Sequence, residues 1–190
     1  MKSNKPFGTD YDPDELEKAA LAGTEKKDSP LSWVLTIGIT VVAAVLFCAF
    51  IARPSKVVGN SMQNTCHNGD VTILWELNYQ PQYGDIVVVN NQNPLQENLI
   101  KRVIGVAGDH IVVSNGTVTR NGQALKEDYV KEQVWSGANV DLVVPQGQIF
   151  LMGDNRNHST DSREIGPINK KNIIGKVVVR LFPFQSFRTF

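Results

Sequence analysis

Histidine and cysteine are scarce in this chain. Its three histidines (His67, His110, His158) and two cysteines (Cys48, Cys66) form no cluster with zinc-ligand spacing, so neither a metal nor another cofactor is expected. Two cysteines cannot staple a small domain by themselves, which excludes a disulfide scaffold. An excess of charge is also missing: 19 Lys and Arg stand against 19 Asp and Glu, and nothing in that balance points to a nucleic-acid partner. Gly 15 and Pro 9 are close to average usage, which excludes collagenous and low-complexity chains. No internal repeat is found. A length of 190 residues accommodates one ordinary domain, or one small domain with an appendage.

Charge is absent altogether from Leu31 to Ile51, LSWVLTIGITVVAAVLFCAFI. As a helix, rising 1.5 Å per residue, this run spans roughly the ~30 Å hydrocarbon layer of a bilayer. A buried core helix would show a polar stripe, and this run shows none. Trp33 near one end suits the membrane interface. The run is longer than the apolar segment of a cleaved signal peptide, and no A-x-A pattern follows it. Cys48 after bulky Phe47 is a poor lipoprotein context. An uncleaved signal anchor is the reading that fits. Lys18, Lys26 and Lys27 precede the run, while Arg53 and Lys56 follow it. That slight bias leans toward a cytoplasmic N-terminus.

The chain then divides into a polar cytoplasmic tail (1–30), a single membrane-spanning anchor (31–52) and a globular domain (53–190). The tail has too few apolar residues for a core, although Asp14 to Leu21 suits two turns of helix. The globular part is mainly β. Strands are predicted over Val71–Leu77, Asp85–Val89, Ile111–Val113, Thr117–Thr119, Gln148–Met152 and Ile173–Phe182. Asn115-Gly116 between two of them is a strong hairpin signal, and Asn121-Gly122 follows. The fold class expected is an all-β domain of antiparallel sheets behind one transmembrane helix.

Serine catalysis needs a base. No spacing ties any of the three histidines to a particular serine or aspartate, and each reads as a solvated loop residue. Lysine can serve instead, but only when neutral. From a reference pKa near 10.4, neutralising it at pH 7 costs roughly 4.6 kcal/mol. Burial among apolar groups removes that cost by disfavouring the charged form. Lys101 lies in such a run, Asn98-Leu99-Ile100-Lys101-Arg102-Val103-Ile104-Gly105. In a strand it shares a face with Leu99 and Val103. The plain alternative is an exposed strand lysine with its stem laid on the surface.

Three motifs occur in order. Gly59-Asn60-Ser61-Met62-Gln63-Asn64-Thr65 follows the apolar run, Lys101 to Asp109 (KRVIGVAGD) comes next, and Gly153-Asp154-Asn155-Arg156-Asn157-His158-Ser159-Thr160-Asp161-Ser162-Arg163 closes the set. Together with Tyr83-Gly84-Asp85, Asn121-Gly122 and Phe182-Pro183, they resemble the bacterial type I signal peptidases, in the single-anchor form common in Gram-positive bacteria. The resemblance covers residues 31 to 183, and the third motif is the most specific.

The resemblance implies a membrane-bound serine endopeptidase that removes N-terminal signal peptides from exported preproteins, cleaving after small residues in an Ala-x-Ala pattern. Ser61 is then the nucleophile and Lys101 the general base. Ser159 matches the hydroxyl that orients the lysine amine. Arg102 with Asp154, and Asp161 with Arg163, match supporting ion pairs. The oxyanion falls to the backbone N–H of Ser61. Gly59 stands where some relatives carry a donor hydroxyl, so the site leans on backbone donors. Met62, Cys66 and Leu99 match pocket-lining positions, and the substrate is expected to bind extended along a strand. Partners implied are signal-peptide-bearing preproteins and membrane lipid, with the catalytic domain extracytoplasmic and near the secretion translocon. A disulfide between Cys66 and Cys48 is not expected.

Two positions depart from the family pattern. Asn64 replaces a proline that rigidifies the turn after the nucleophile, and Cys66 replaces leucine. They suggest a specialised or catalytically weak homologue, acting in assembly of particular surface proteins, as the alternative. A self-cleaving repressor-type protease shares the chemistry, but would be soluble and carry a DNA-binding helical domain.

Overall fold

The computed structural model describes residues 29–50, 52–132, 135 and 137–190. The segment read as a polar tail lies outside the described residues up to residue 28. Helix α1 (Pro30–Phe50, 21 residues) begins at Ser29, whose hydroxyl oxygen and carbonyl both accept from Ser32 N–H (3.2 and 2.9 Å). Pro30 in the first turn needs no hydrogen-bond acceptor there. Every residue of the helix from Leu31 to Phe47 is exposed among the described residues. Its two threonine hydroxyls turn inward, Thr36 Oγ1 donating to Ser32 O and Thr40 Oγ1 to Thr36 O (2.8 Å each). That satisfies polar groups which hydrocarbon cannot. The helix is long and apolar enough to cross a membrane.

The remaining described residues are built on antiparallel strands, as the sequence predicts. The larger sheet contains β1 (Ala52–Lys56), β2 (Val71–Trp75), β3 (Ile86–Val89), β4 (Leu99–Val106), β9 (Gln148–Met152), β10 (Ile168–Asn169), β11 (Ile173–Phe182) and β12 (Arg188–Thr189). Their order is β1-β2-β11-β3-β4-β9-β10, with β12 on β11. The smaller sheet contains β5 (His110–Ser114), β6 (Thr117–Arg120), β7 (Gln123–Ala124) and β8 (Val140–Val143), in the order β7-β6-β5-β8. The β5–β6 hairpin turns at Asn115 and Gly116, both with positive φ (47° and 75°). That is the turn whose twist matches paired strands. Helix α2 (Ser162–Ile165) is one turn, capped by Asp161, which accepts from Arg163 N–H.

Strand β4 organises the core. It lies between β3 and β9 and is buried from Leu99 through Gly105, so both its faces are interior. Leu99 and Val103 pack with Val87, Val89, Ile149 and Leu151. Ile100, on the opposite face, packs with Met62, Cys66, Leu74 and Val177. Ile104 joins a third cluster with Ile111, Phe150 and Trp135. A register shift between Val103 and Gly105 carries β4 toward the smaller sheet. A Cβ at Gly105 would meet Ile111 Cδ1 at 2.8 Å, so only glycine admits Ile111 this closely. Lys101, on the Leu99 face, is 5% exposed. The surface-lysine alternative is thereby excluded.

Candidate active site

Ser61 sits on a turn closed by Gln63 N–H donating to Asn60 O (3.2 Å). The loop that carries it is pinned at both ends. Val57 N–H donates to Asp70 O and Gly69 N–H to Val57 O (2.8 and 2.9 Å). Gly59 has φ of 91°, a conformation that favours glycine, and its N–H donates to Asn68 Oδ1 (3.0 Å). Ser61 N–H has no hydrogen-bond partner among the described residues. The Gln63–Asn64 peptide bond is cis.

Lys101 Nζ lies 2.8 Å from Ser61 Oγ. Burial pulls the lysine pKa down from its ordinary value to about 8, because its charged form has lost water. Two carboxylates act against that shift, Asp161 first and Asp154 after it, while the Arg163 guanidinium reinforces it. Both carboxylates are engaged by arginines. Arg102 Nε and Nη2 donate to Asp154 Oδ1 and Oδ2 (2.9 and 2.6 Å). Arg163 Nε and Nη2 donate to Asp161 Oδ1 and Oδ2 (2.8 and 2.9 Å). Arginine's flat fork suits such two-point pairing and keeps its charge. The amine is thus left desolvated beside a hydroxyl, with no carboxylate of its own.

Ser159 Oγ donates to Asp161 Oδ2 (2.8 Å), the oxygen that also accepts from Gly153 N–H (2.9 Å). Gly153 is required by space. A Cβ there would lie 2.2 Å from Ser159 Oγ and 2.6 Å from Ser61 O. Leu99 lines the cleft that holds Ser61 and Lys101. Met62 and Cys66 do not reach its surface. They are 1% and 0% exposed and belong to the core cluster with Ile100. Burial pushes the Cys66 thiol up to about 11. Of the histidines, His158 lines the cleft, His67 is exposed in its loop, and exposed His110 bonds Asp141 (2.7 Å).

Several contributors were given no role by the sequence. Arg156, a member of the third motif, is 2% exposed. It donates to Gly153 O (2.9 Å) and twice to Glu127 (2.9 and 2.6 Å). The Tyr129 ring lies 3.9 Å from the Arg102 guanidinium. Trp135 has Arg156 and Arg163 over its ring at 5.1 and 5.3 Å. Lys131 N–H donates to Asp154 O (3.0 Å) and its amine to Gln63 Oε1 (3.0 Å). The segment around residues 127–135 thus backs the loop that holds both arginine pairs.

A second cavity shares Val58, Asn98, Leu99 and Ile100 with the cleft and extends along Arg53 to Val57. Strand β1 pairs only with β2 among the described strands, so one of its edges stays open beside this trough. An open edge next to apolar hollows receives an extended peptide.

The Ser61 hydroxyl and the buried Lys101 amine thus meet in a cleft that adjoins an unpaired strand edge. Comparison with known proteins defines the class. Residues 31–182 match the family model "Signal peptidase, peptidase S26", and the chain belongs to this family. It is 39% identical over 156 residues to a probable signal peptidase I-1 of Synechocystis sp., covering 76% of this chain and 79% of the relative. Against signal peptidase I of Bacillus licheniformis it is 35% identical over 178 residues, covering 87% and 95%. Among solved structures, a signal peptidase I from Enterococcus faecalis V583 aligns over 53% of this chain and 98% of its own, at 28% identity and a TM-score of 0.45. The protein is an enzyme, a peptidase of the signal peptidase I type.

Proposed function

We propose that this protein removes signal peptides from exported preproteins with Ser61 as nucleophile and Lys101 as general base. The observation that carries the reading is the 2.8 Å contact between Lys101 Nζ and Ser61 Oγ, made by an amine whose pKa burial has pulled to about 8. At pH 7 roughly one such amine in ten is neutral, against fewer than about one in a thousand for an exposed lysine.

The neutral amine takes the Ser61 proton as Oγ attacks the scissile carbonyl carbon. The tetrahedral oxyanion accepts from Ser61 N–H. Lys101, now an ammonium, gives its proton to the leaving amine as the C–N bond breaks. Water then attacks the acyl-serine, with Lys101 accepting its proton and passing it to Ser61 Oγ as the ester C–O bond breaks, and the signal peptide leaves with a new carboxylate. The signal-peptide segment lies extended against the open edge of β1, and shallow apolar hollows near Leu99 and Ile100 favour small residues before the cut, as in Ala-x-Ala. Ser159, whose hydroxyl goes to Asp161 rather than to the Lys101 amine, and the two arginine–aspartate pairs hold the loop after β9 in register with strand β4 and the nucleophile loop.

In this reading α1 is a single-pass anchor with a cytoplasmic N-terminus, and residues 53–190 form the extracytoplasmic catalytic domain, working near the secretion translocon. The test is cleavage of an Ala-x-Ala preprotein by the full chain in detergent, beside Ser61→Ala and Lys101→Ala. Wild type should cut at the expected bond and both variants should fail. A wild type inactive on several preproteins would favour a specialised or assembly role instead.

A further inference from the structure

Asn155 lies in the third motif, but its neighbours there supply the ion pairs and it has had no task so far. It is 1% exposed. Its backbone N–H donates to Ser61 O (2.9 Å), and its side-chain Nδ2 donates to Asn60 O (2.9 Å). Its Oδ1 is buried with no partner among the described residues, a cost to the fold. Turning the amide over would set that oxygen against the Asn60 carbonyl, so the bond to Asn60 decides which way the side chain faces.

The Asn60 carbonyl and the Ser61 N–H belong to one planar peptide unit, which is trans. In such a unit the two groups point in opposite directions. Holding the carbonyl therefore aims the N–H. The Gln63 N–H also reaches Asn60 O, at a longer 3.2 Å, so the turn alone gives a looser hold. No side chain at position 59 supplements this donor, and Gly59 N–H is already given to Asn68.

We propose that Asn155 is a positioning residue for oxyanion stabilisation: its side-chain amide fixes the Asn60–Ser61 peptide plane so that Ser61 N–H faces the developing charge. The inference rests on Ser61 being the nucleophile. Donors aimed in advance are what such stabilisation requires, because reorienting them during reaction forfeits most of the gain.

The test uses full-length wild type, Asn155→Ala, the near-isosteric Asn155→Leu and Ser61→Ala, in detergent. Backbone N–H of residue 155 still reaches Ser61 O in both Asn155 variants, so only the side-chain bond is removed. The readouts are kcat, KM, the pH midpoint of activity, and affinity for a peptide boronate ending in alanine, which forms a tetrahedral adduct with the serine. Expected is a fall in kcat of about ten- to a hundredfold, less than the loss of a donor itself. KM should stay within about twofold, the pH midpoint should not move, and boronate affinity should fall in parallel with kcat.

Unchanged kcat in a folded variant would overturn the proposal. So would a moved pH midpoint, which would put Asn155 on Lys101, or a raised KM at constant kcat, which would put it on the substrate. If both variants fail to fold, the crystal structure of wild type with the boronate decides. Ser61 N–H must donate to a boronate oxygen with Asn155 Nδ2 still on Asn60 O, and an amide swung away overturns the idea. Cleavage surviving in Ser61→Ala would instead sink the nucleophile assignment, and is read separately.

Discussion

Thr65 and Asp154 are 89 positions apart in the chain, and the Thr65 hydroxyl donates to Asp154 Oδ2 at 2.5 Å. This bond joins the nucleophile loop to the loop after β9, and Arg102 closes the triangle through the same carboxylate oxygen (2.6 Å). Thr65→Val keeps the shape and deletes the bond. It should lower stability by about 1–3 kcal/mol, the cost of a lost hydrogen bond to a charged group. Thermal unfolding would measure it, and an unchanged Tm would mean the bond contributes nothing net.

With Lys101 as the proposed base, the dependence of cleavage on pH follows from its amine. Below a pKa of about 8 the amine is protonated and cannot accept the Ser61 proton; above it the amine is free. kcat/KM should therefore rise with pH, roughly tenfold per unit at low pH, and level off above about 8. A profile flat between pH 6 and 9 would argue against lysine as the base.

Gly153→Ala inserts a methyl group 2.6 Å from Ser61 O and 2.2 Å from Ser159 Oγ. Neither neighbour can retreat without moving the nucleophile loop or the Asp161 cluster. A displacement of about 1 Å in a catalytic group can cost on the order of a hundredfold in rate. Steady-state kinetics of a folded Gly153→Ala should show that loss, and near-wild-type activity would mean the two loops are looser than their contacts imply.

Arg156 has a fully buried side chain and meets Glu127 at 2.6 Å. Glu127→Ala would leave a buried guanidinium without its carboxylate, at a cost of about 3–5 kcal/mol. Glu127→Ala with Arg156→Met removes both charges and should recover part of that stability. Denaturant unfolding of the two variants tests this ordering, and it fails if the double variant is the weaker one.

The large features of the fold were legible in the sequence for clear reasons. A charge-free run long enough for a bilayer is read from composition, and Gln148–Met152 and Ile173–Phe182 end where their β-rich runs end. Asn115-Gly116 names its own turn. Lys101 was only half legible: its largely apolar run allowed a buried amine but left an exposed strand lysine open, and the structure shows it buried. Glu127, Tyr129 and Trp135 were not legible. They lie in a stretch without periodic pattern, and their meaning comes only from arginines that tertiary structure brings to them. Met62 and Cys66 were matched to pocket-lining positions by the family resemblance alone, and both side chains instead lie buried in the core cluster with Ile100.

The open edge of β1 has a consequence beyond catalysis. A bare row of backbone donors and acceptors will zip to any strand, including that of another copy, and native proteins guard such rows. Here the guard is written into the five residues ARPSK. Pro54 lacks an N–H to offer, and the charge of Lys56 disfavours a second copy of the strand. What remains unguarded is a stretch only a few residues long. An edge interrupted in this way is a poor template for sheet growth between molecules, yet on the proposed reading it is long enough to grip the short extended segment ahead of a cleavage site. The same interruption that protects the resting molecule from its own kind sets how much of a visiting chain it can hold.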